Sequence, residues 1–204
     1  MTRPVFGHLP DGAVYHDGLF FCVCPTPYRQ IFNVPEYHFG DIRKGDHVLD
    51  IGANVGAFCI RASRLSRHVT ALEPVTTDLL RDNITLNHAE ITLIKGALGN
   101  GAPADISWDD VHRNSPTFPL STLVKMAGGC DFLKCDAEGA EWLIRPHDLE
   151  GIRRIEMELH LPPIGPPPNT ALLEYIEDEY EIAIDRTPVH VSLGVMGILH
   201  AVRK

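Results

Sequence analysis

The chain has no apolar run long enough to cross a bilayer: the stretch Leu19 to Cys24 is six residues, bounded by Gly18 and Pro25, whereas a spanning helix needs about 20. No basic segment followed by an apolar core opens the sequence either, so the expectation is a cytoplasmic protein with no membrane partner. Positive charge is scarce. Lys and Arg number 18 against 27 Asp and Glu, a formal net charge of -9, and nucleic-acid affinity rests largely on Lys and Arg displacing counterions, so DNA or RNA as partner is disfavoured. Cysteine is sparse and odd in number: Cys22, Cys24, Cys59, Cys130 and Cys135 form no C-x-x-C knuckle and have no matching His pair. That argues against a zinc ribbon or a disulfide framework and for reduced thiols.

What is present is enough for a sizeable core: 204 residues, 44% of them hydrophobic, suit one well-packed domain with an appendage. Residues 1–45 are rich in Gly, Pro and aromatics. Ala13 to Tyr15 and Leu19 to Cys24 flank a His-Asp-Gly turn and read as a β-hairpin, with Ile31 to Gly40 as a covering segment. From 46 to 204 the pattern alternates. Strands are expected at Val48 to Ile51, Val69 to Leu72, Ile91 to Leu98, Ala104 to Trp108, Phe132 to Cys135 and Ile152 to His160. Helices are expected at Asn54 to Ser66, Thr77 to Asn87, Leu120 to Ala127, Glu138 to Arg145 and Thr170 to Glu179, and Tyr180 to Asp185 with Val195 to Val202 closes the chain as an antiparallel pair. Repeated β-α units imply an α/β fold with a mostly parallel central sheet covered on both faces.

In such sheets a ligand lies beyond the carboxyl ends of the strands. The first strand runs into HVLDIGANVG, residues 47–56. This is close to a dinucleotide fingerprint, but Asn54 stands where a second glycine is wanted and an acid, Asp50, comes first. Asn tolerates the left-handed conformation, so the turn Gly52-Ala53-Asn54-Val55-Gly56 works where no pyrophosphate has to pass. Glu73 ends the second strand at close to the ~20-residue spacing of a carboxylate that accepts from ribose hydroxyls. Two acids and no phosphate cradle fit a ligand with a ribose and an ammonium or sulfonium, which is S-adenosylmethionine.

The second informative run is DFLKCDAEGAEWLI, residues 131–144. Lys134 and Asp136 lie on a central strand, where burial on both faces normally selects Val, Ile and Leu. On the next strand Glu156, Glu158 and His160 share one face, so a Lys134 pair with Glu156 or Glu158 is expected to neutralise the buried charge. Asp136, Glu158 and His160, nearer the strand ends, are the candidates for catalysis. Glu138 and Glu141, three apart on one helix face, are explained by the helix dipole, Cys22 and Cys24 by packing, and Trp142 by the core. The loop Leu161 to Pro168 is a spacer or a substrate lid.

On GDHVLDIGANVG, ALEP at 71–74, NITLN at 83–87, GALG at 96–99, LKCDAEGAE at 133–141 and the strand end MELH, the chain resembles the FkbM-like methyltransferases. The resemblance runs from about Tyr37 to His160. It implies a class I Rossmann-like fold and cofactor contacts at Asp50, Gly52, Asn54, Gly56 and Glu73, with Ala97 near the adenine and Asp136 at the junction with the acceptor. It also implies O-methylation of a sugar or a small natural-product hydroxyl, so the partner is a small-molecule or glycan acceptor. His160 is then the first candidate base and Asp136 the second. A divalent metal, Mg or Mn, held by Asp136, Glu138, Glu158 and His160 is the alternative and is not expected. The competing readings are a nucleic-acid methyltransferase, for which Cys24 to Tyr28 is only an echo of the needed motif, and a noncatalytic protein that keeps the fold.

Overall fold

The structure, a computed structural model, describes residues 14–16, 18–22, 36–108, 111–186 and 194–204. Cys24 to Tyr28 and residues 31–35 of the covering segment lie outside the described residues. In chain order the strands are β1 Val14–His16, β2 Leu19–Phe21, β3 His47–Ile51, β4 His68–Glu73, β5 Ile91–Lys95, β6 Ala97–Leu98, β7 Ala104–Trp108, β8 Val111–Ser115, β9 Thr117–Phe118, β10 Phe132–Cys135, β11 Arg154–His160, β12 Tyr180–Asp185 and β13 Val195–Arg203. The helices are α1 Ala57–Ala62, α2 Thr77–Leu86, α3 Leu120–Ala127 and α4 Thr170–Glu179.

Seven strands form the central sheet in the order β12-β13-β11-β10-β3-β4-β5. β11, β10, β3, β4 and β5 pair in parallel, while β13 is antiparallel to both its neighbours. The expected parallel sheet with a C-terminal antiparallel pair and an N-terminal hairpin is therefore present. Strand order reverses between β3 and β10: from β3 the chain steps outward to β4 and β5, then returns to lay β10 on the other side of β3. The connections that leave these two strands run to opposite sides, and a crevice is expected beyond their carboxyl ends.

The alternation along each strand assigns the faces. Leu49 and Ile51 on β3, Leu133 and Cys135 on β10, and Ile155, Met157 and Leu159 on β11 share a buried cluster with Leu120 and Leu123 of α3 and Leu172 and Ile176 of α4. The opposite face buries Val48, Phe132 and Ile198 with Phe58 of α1 and Leu80 of α2, under Leu19, Phe21, Tyr37 and Phe39.

Several elements differ from the sequence reading. The helix expected over 54–66 is only Ala57–Ala62, because Asn54, Val55 and Gly56 are used in the turn and Gly56 caps the helix in a left-handed conformation. The strand expected over 91–98 breaks at Gly96; Ala97–Leu98 leaves the sheet and pairs with Thr117–Phe118. β7 folds back on β8 as a separate hairpin. The helix expected over 138–145 is absent: Glu138 and Gly139 both have positive φ, and only a short 3-10 turn follows, Ala140–Leu143.

The N-terminal hairpin is held by amides of α2 acting as strand mimics. The Asn87 side chain accepts from Phe20 N at 2.8 Å and donates to Phe20 O at 2.6 Å, and Asn83 Oδ1 accepts from Cys22 N at 2.6 Å. Buried Asn83 also donates to Val55 O at 2.7 Å, which ties the hairpin to the turn after β3. At about 1 kcal/mol net per hydrogen bond, Asn87→Ala should speed hydrogen exchange at the Phe20 amide by about tenfold or more while the global melting temperature moves by only a few degrees. Unchanged exchange would mean that packing of Leu19 and Phe21, not the amide clamp, holds the hairpin.

Candidate functional site

The crevice is organised around Lys134. Its Nζ lies 3.1 Å from Asp50 Oδ1 and 3.9 Å from Asp136 Oδ2, and donates to the carbonyls of Gly52 at 2.8 Å and Ile51 at 3.3 Å. Burial works against the ammonium, but the charges of Asp50 and Asp136 more than offset it and keep the pKa above the usual lysine range. This corrects the expected pairing with Glu156 or Glu158. Lys134 lies beside both Asp50 and Glu156 in register and pairs with Asp50, because Glu156 is already held by Arg154 and by His200 Nδ1 at 2.6 Å.

The turn after β3 approaches the end of β10 so closely that a Cβ on Gly52 would sit 1.8 Å from the Asp136 carbonyl oxygen. Glycine is required there by the contact with protein backbone. Asn54 takes the left-handed conformation expected of it, with φ 49°. Its backbone N–H donates to Glu73 Oε2 at 2.8 Å, while Glu73 Oε1 accepts from Val75 N at 2.7 Å and Thr76 N at 2.9 Å. Glu73 therefore braces two strand-end loops as well as facing the crevice.

A cavity of about 720 Å³ opens over this floor. Gly52, Asn54, Glu73, Ala97 and Asp136, all proposed from the sequence, line it, together with Glu138. Asp50, Ala53 and Gly56 do not: Asp50 is fully buried against Lys134, and Ala53 and Gly56 are buried in the turn. Thr76 also lines the cavity and was missed from the sequence. It precedes α2 but makes no capping bond, and the signal for it was its position three residues after Glu73. Asn54 Oδ1, Thr76 Oγ1 and Asp136 Oδ1 are buried without a hydrogen-bond partner among the described residues. Three orphaned polar atoms on residues around one cavity are costly unless a polar ligand satisfies them.

His160 ends β11 beside the cavity and is 2% exposed. Its Nδ1 lies 3.1 Å from Glu141 Oε1, which also accepts from His160 N at 2.7 Å. Its Nε2 points the other way, 3.4 Å from Glu138 Oε2 and 3.9 Å from Asp136 Oδ1. Glu138 and Glu141 thus flank one imidazole from opposite sides, so the helix-dipole explanation for them does not hold; there is no helix, and Glu141 is fully buried. Asp136, Glu138 and His160 offer ligand atoms within 4.8 Å of one another, a group that does not include Glu158. Trp142 is core, as expected, and donates to His160 O at 2.7 Å. The proline loop is laid against this turn: a Cβ on Gly139 would lie 2.3 Å from Gly165 Cα, and Ile164 reaches the cavity.

The side of the cavity at Asp136 and Glu138 is crowded with acid, although Glu36, Glu158 and His160 are not among the residues that line it. Burial and the Asp136 charge push Glu158 up to about 9, the same two causes push Glu36 up to about 7, and burial raises Glu138 as well. For His160, burial lowers the pKa, but the hydrogen bond to Glu141 and the surrounding carboxylates raise it to about 9.

No protein-family model and no curated protein matches the chain. Solved structures match its fold. A candidate rRNA methylase from Clostridium thermocellum superposes with a TM-score of 0.54 at 11% identity, over 88% of this chain and 94% of that one. A dimethyladenosine transferase from Plasmodium falciparum gives 0.53 at 10% identity, over 90% of this chain and 63% of that one, and Trm5b from Pyrococcus abyssi 0.52 at 15%, over 94% and 55%. The fold is the Rossmann-like fold of class I methyltransferases.

Glu36, Glu158 and His160 all have folded-state pKa values above their ordinary ones. The folded protein therefore holds more protons than the unfolded chain between about pH 4.5 and pH 9, and stability should fall as pH rises through that window. Melting temperature measured across it should decline, less steeply in Glu158→Gln; a flat profile would show that these groups are not perturbed. Lys134→Met should cost about 3–5 kcal/mol, because Asp50 is left buried and unpaired. Adding Asp50→Asn should recover part of that loss, and a single variant that melts like the parent would remove Lys134 as the tie between β3 and β10.

Proposed function

We propose that this chain is an S-adenosylmethionine-dependent methyltransferase acting on a hydroxyl of a sugar or other small molecule. The observation that carries the cofactor is the set of orphaned polar atoms on Asn54, Thr76 and Asp136 around the cavity. Together with Glu73 they offer acceptors and a hydroxyl to a ribose and an ammonium, and among the described residues no Lys, Arg or His lines the cavity to match a phosphate. Glu73 keeps a free lone pair on Oε2, which accepts one bond within the chain. Ala97, small and lining the same cavity, leaves room for a flat base. When bound, the cofactor supplies an electrophilic methyl group whose sulfur leaves with the electron pair.

The residues of this chain orient the acceptor and exclude water, and positioning of that kind supplies roughly 7 to 11 kcal/mol. The acceptor end is that of Asp136, Glu138, Glu158 and His160. His160 stands at about 9 and is cationic at neutral pH, so the order of candidate bases is reversed: Asp136, which lines the cavity, comes before His160. The acidic wall and the net charge of -9 favour a neutral or cationic small acceptor over a polyanion. The resemblance to FkbM-like enzymes supports a hydroxyl, although the name of the Clostridium thermocellum neighbour refers to rRNA methylation.

Calorimetry should show saturable binding of S-adenosylmethionine and of its demethylated product, with affinity lower by about tenfold or more in Glu73→Gln, since a hydrogen bond to a charged group is worth about 1.5–3 kcal/mol. No heat of binding to the folded parent would overturn the cofactor. Incubation with methyl-labelled cofactor and either total RNA or a small-molecule fraction decides the acceptor; label in RNA alone would overturn the small-molecule reading.

A further inference from the structure

We propose that the acceptor end of the cavity is a divalent-cation site, with Asp136, Glu138 and Nε2 of His160 as ligands and Glu141 as the group that orients the imidazole. The three ligand atoms lie within 4.8 Å of one another. Bonds of about 2.0–2.2 Å to one ion would place such atoms roughly 3 to 4.3 Å apart, so small rotations of exposed Glu138 and half-buried Asp136 complete the set.

The site is more than a group of acids. His160 is 2% exposed, and its Nε2, aimed at the two carboxylates, makes no hydrogen bond among the described residues. The other ring nitrogen is engaged: Glu141 Oε1 lies 3.1 Å from Nδ1, which turns Nε2 toward Asp136 and Glu138, and an ion bound there takes the place of the Nε2 proton. A carboxylate behind a histidine is the arrangement by which proteins fix metal-binding imidazoles. Asp136 Oδ1, 3.9 Å from Nε2, is buried with no donor.

The second His and carboxylate group among the described residues, His38, Glu156 and His200, makes the contrast. There a guanidinium already occupies the place of a cation, since Arg154 pairs with Glu156 and lies 2.9 Å from His38 Nδ1. At Asp136, Glu138 and His160 no arginine intervenes, and Lys134 is 3.9 Å from the far oxygen of Asp136. One nitrogen and two carboxylate ligands suit manganese or zinc over magnesium or calcium, which prefer oxygen alone. Three protein ligands leave positions open, and Asp136 and Glu138 line the cavity where the acceptor is placed by the methyltransferase reading. The proposal rests on that reading for the ion's use but not for its binding.

Mn2+ titrated into the full chain, without cofactor or acceptor, should lose free-ion paramagnetic resonance signal with one site per chain, and the bound ion should show coupling to an imidazole nitrogen. Glu138→Gln, an exposed position, should weaken binding by tenfold or more with an unchanged melt, and His160→Gln should remove the nitrogen coupling. Glu141→Gln should weaken it by about 10–100-fold. Glu73→Gln should leave Mn2+ binding alone while losing cofactor affinity, so the two readings fail separately. Absence of saturable binding to the parent, or binding that is equal in the Glu138→Gln, His160→Gln double variant, would overturn the site.

Discussion

Lys134 is a cation on a central parallel strand, 3% exposed, and the geometry of the crevice depends on where its charge is spent. An unpaired buried ammonium is too costly to keep, so its partners have to be fixed in place. They are Asp50 on β3 and the two carbonyls where β3 ends, at Ile51 and Gly52. The ammonium therefore pins the start of the turn to the end of β10, at the point where strand order reverses. Gly52 can then lie against the Asp136 carbonyl, Asn54 turns through its left-handed conformation, and its amide meets Glu73 on β4. Three neighbouring strand ends, β10, β3 and β4, are registered to one another by a chain of contacts that begins at one nitrogen.

The same face of the sheet continues as a row of ionisable groups along β11. Arg154, Glu156, Glu158 and His160 alternate with the apolar residues of the other face, and His200 on β13 lies opposite Glu156. Charge is balanced at one end of the row and not at the other. At Arg154 and Glu156 a guanidinium and His200 match the carboxylate, and His38 stacks on His200 at 4.2 Å. At Glu158 and His160 three acids, Asp136, Glu138 and Glu141, lie against one imidazole, and Glu36 adds its charge to those of Asp136 and Glu158. The covering segment takes part in both ends, with His38 over the balanced one and Glu36 beside the acidic one; Tyr37 lies between them with its ring 5.5 Å from Lys134 Nζ.

The legible part of the fold was that governed by local pattern. α3, α4, β10 and β12 lie where periodicity and capping residues put them, and the strand-end position of Glu73 and the left-handed Asn54 followed from short-range rules about turns. What could not be read depended on partners far apart in sequence. Register places Lys134 beside both Asp50 and Glu156, and no pattern within either strand says which it pairs with; that was decided by Arg154 and His200 occupying Glu156 first. Glu138 and Glu141 look like the first turn of a helix because their spacing is helical. The propagation of that helix is prevented by positive φ at Glu138 and Gly139, and Gly165 packs where a Cβ on residue 139 would lie. Thr76 stands where a threonine is ordinarily a helix cap, and only the missing cap bond in the fold sets it apart.

On the methyltransferase reading, the acidic end bears on which acceptors the cavity can hold. Burial, and after it the Asp136 charge, pushes Glu158 up to about 9, and against its own burial the hydrogen bond to Glu141 and the carboxylates around it raise His160 to about 9. A phosphate brought to Asp136 would meet like charge in a site of low dielectric, where repulsion is strong. A neutral hydroxyl meets no such barrier and finds acceptors for its proton on several sides. A divalent cation at His160 Nε2 would draw the carboxylates together and turn their mutual repulsion into ligation. On the methyltransferase reading, the carboxylates that make the acceptor end unfavourable as an empty cluster are the ones that would hold such an ion, and the ion would in turn hold an acceptor oxygen.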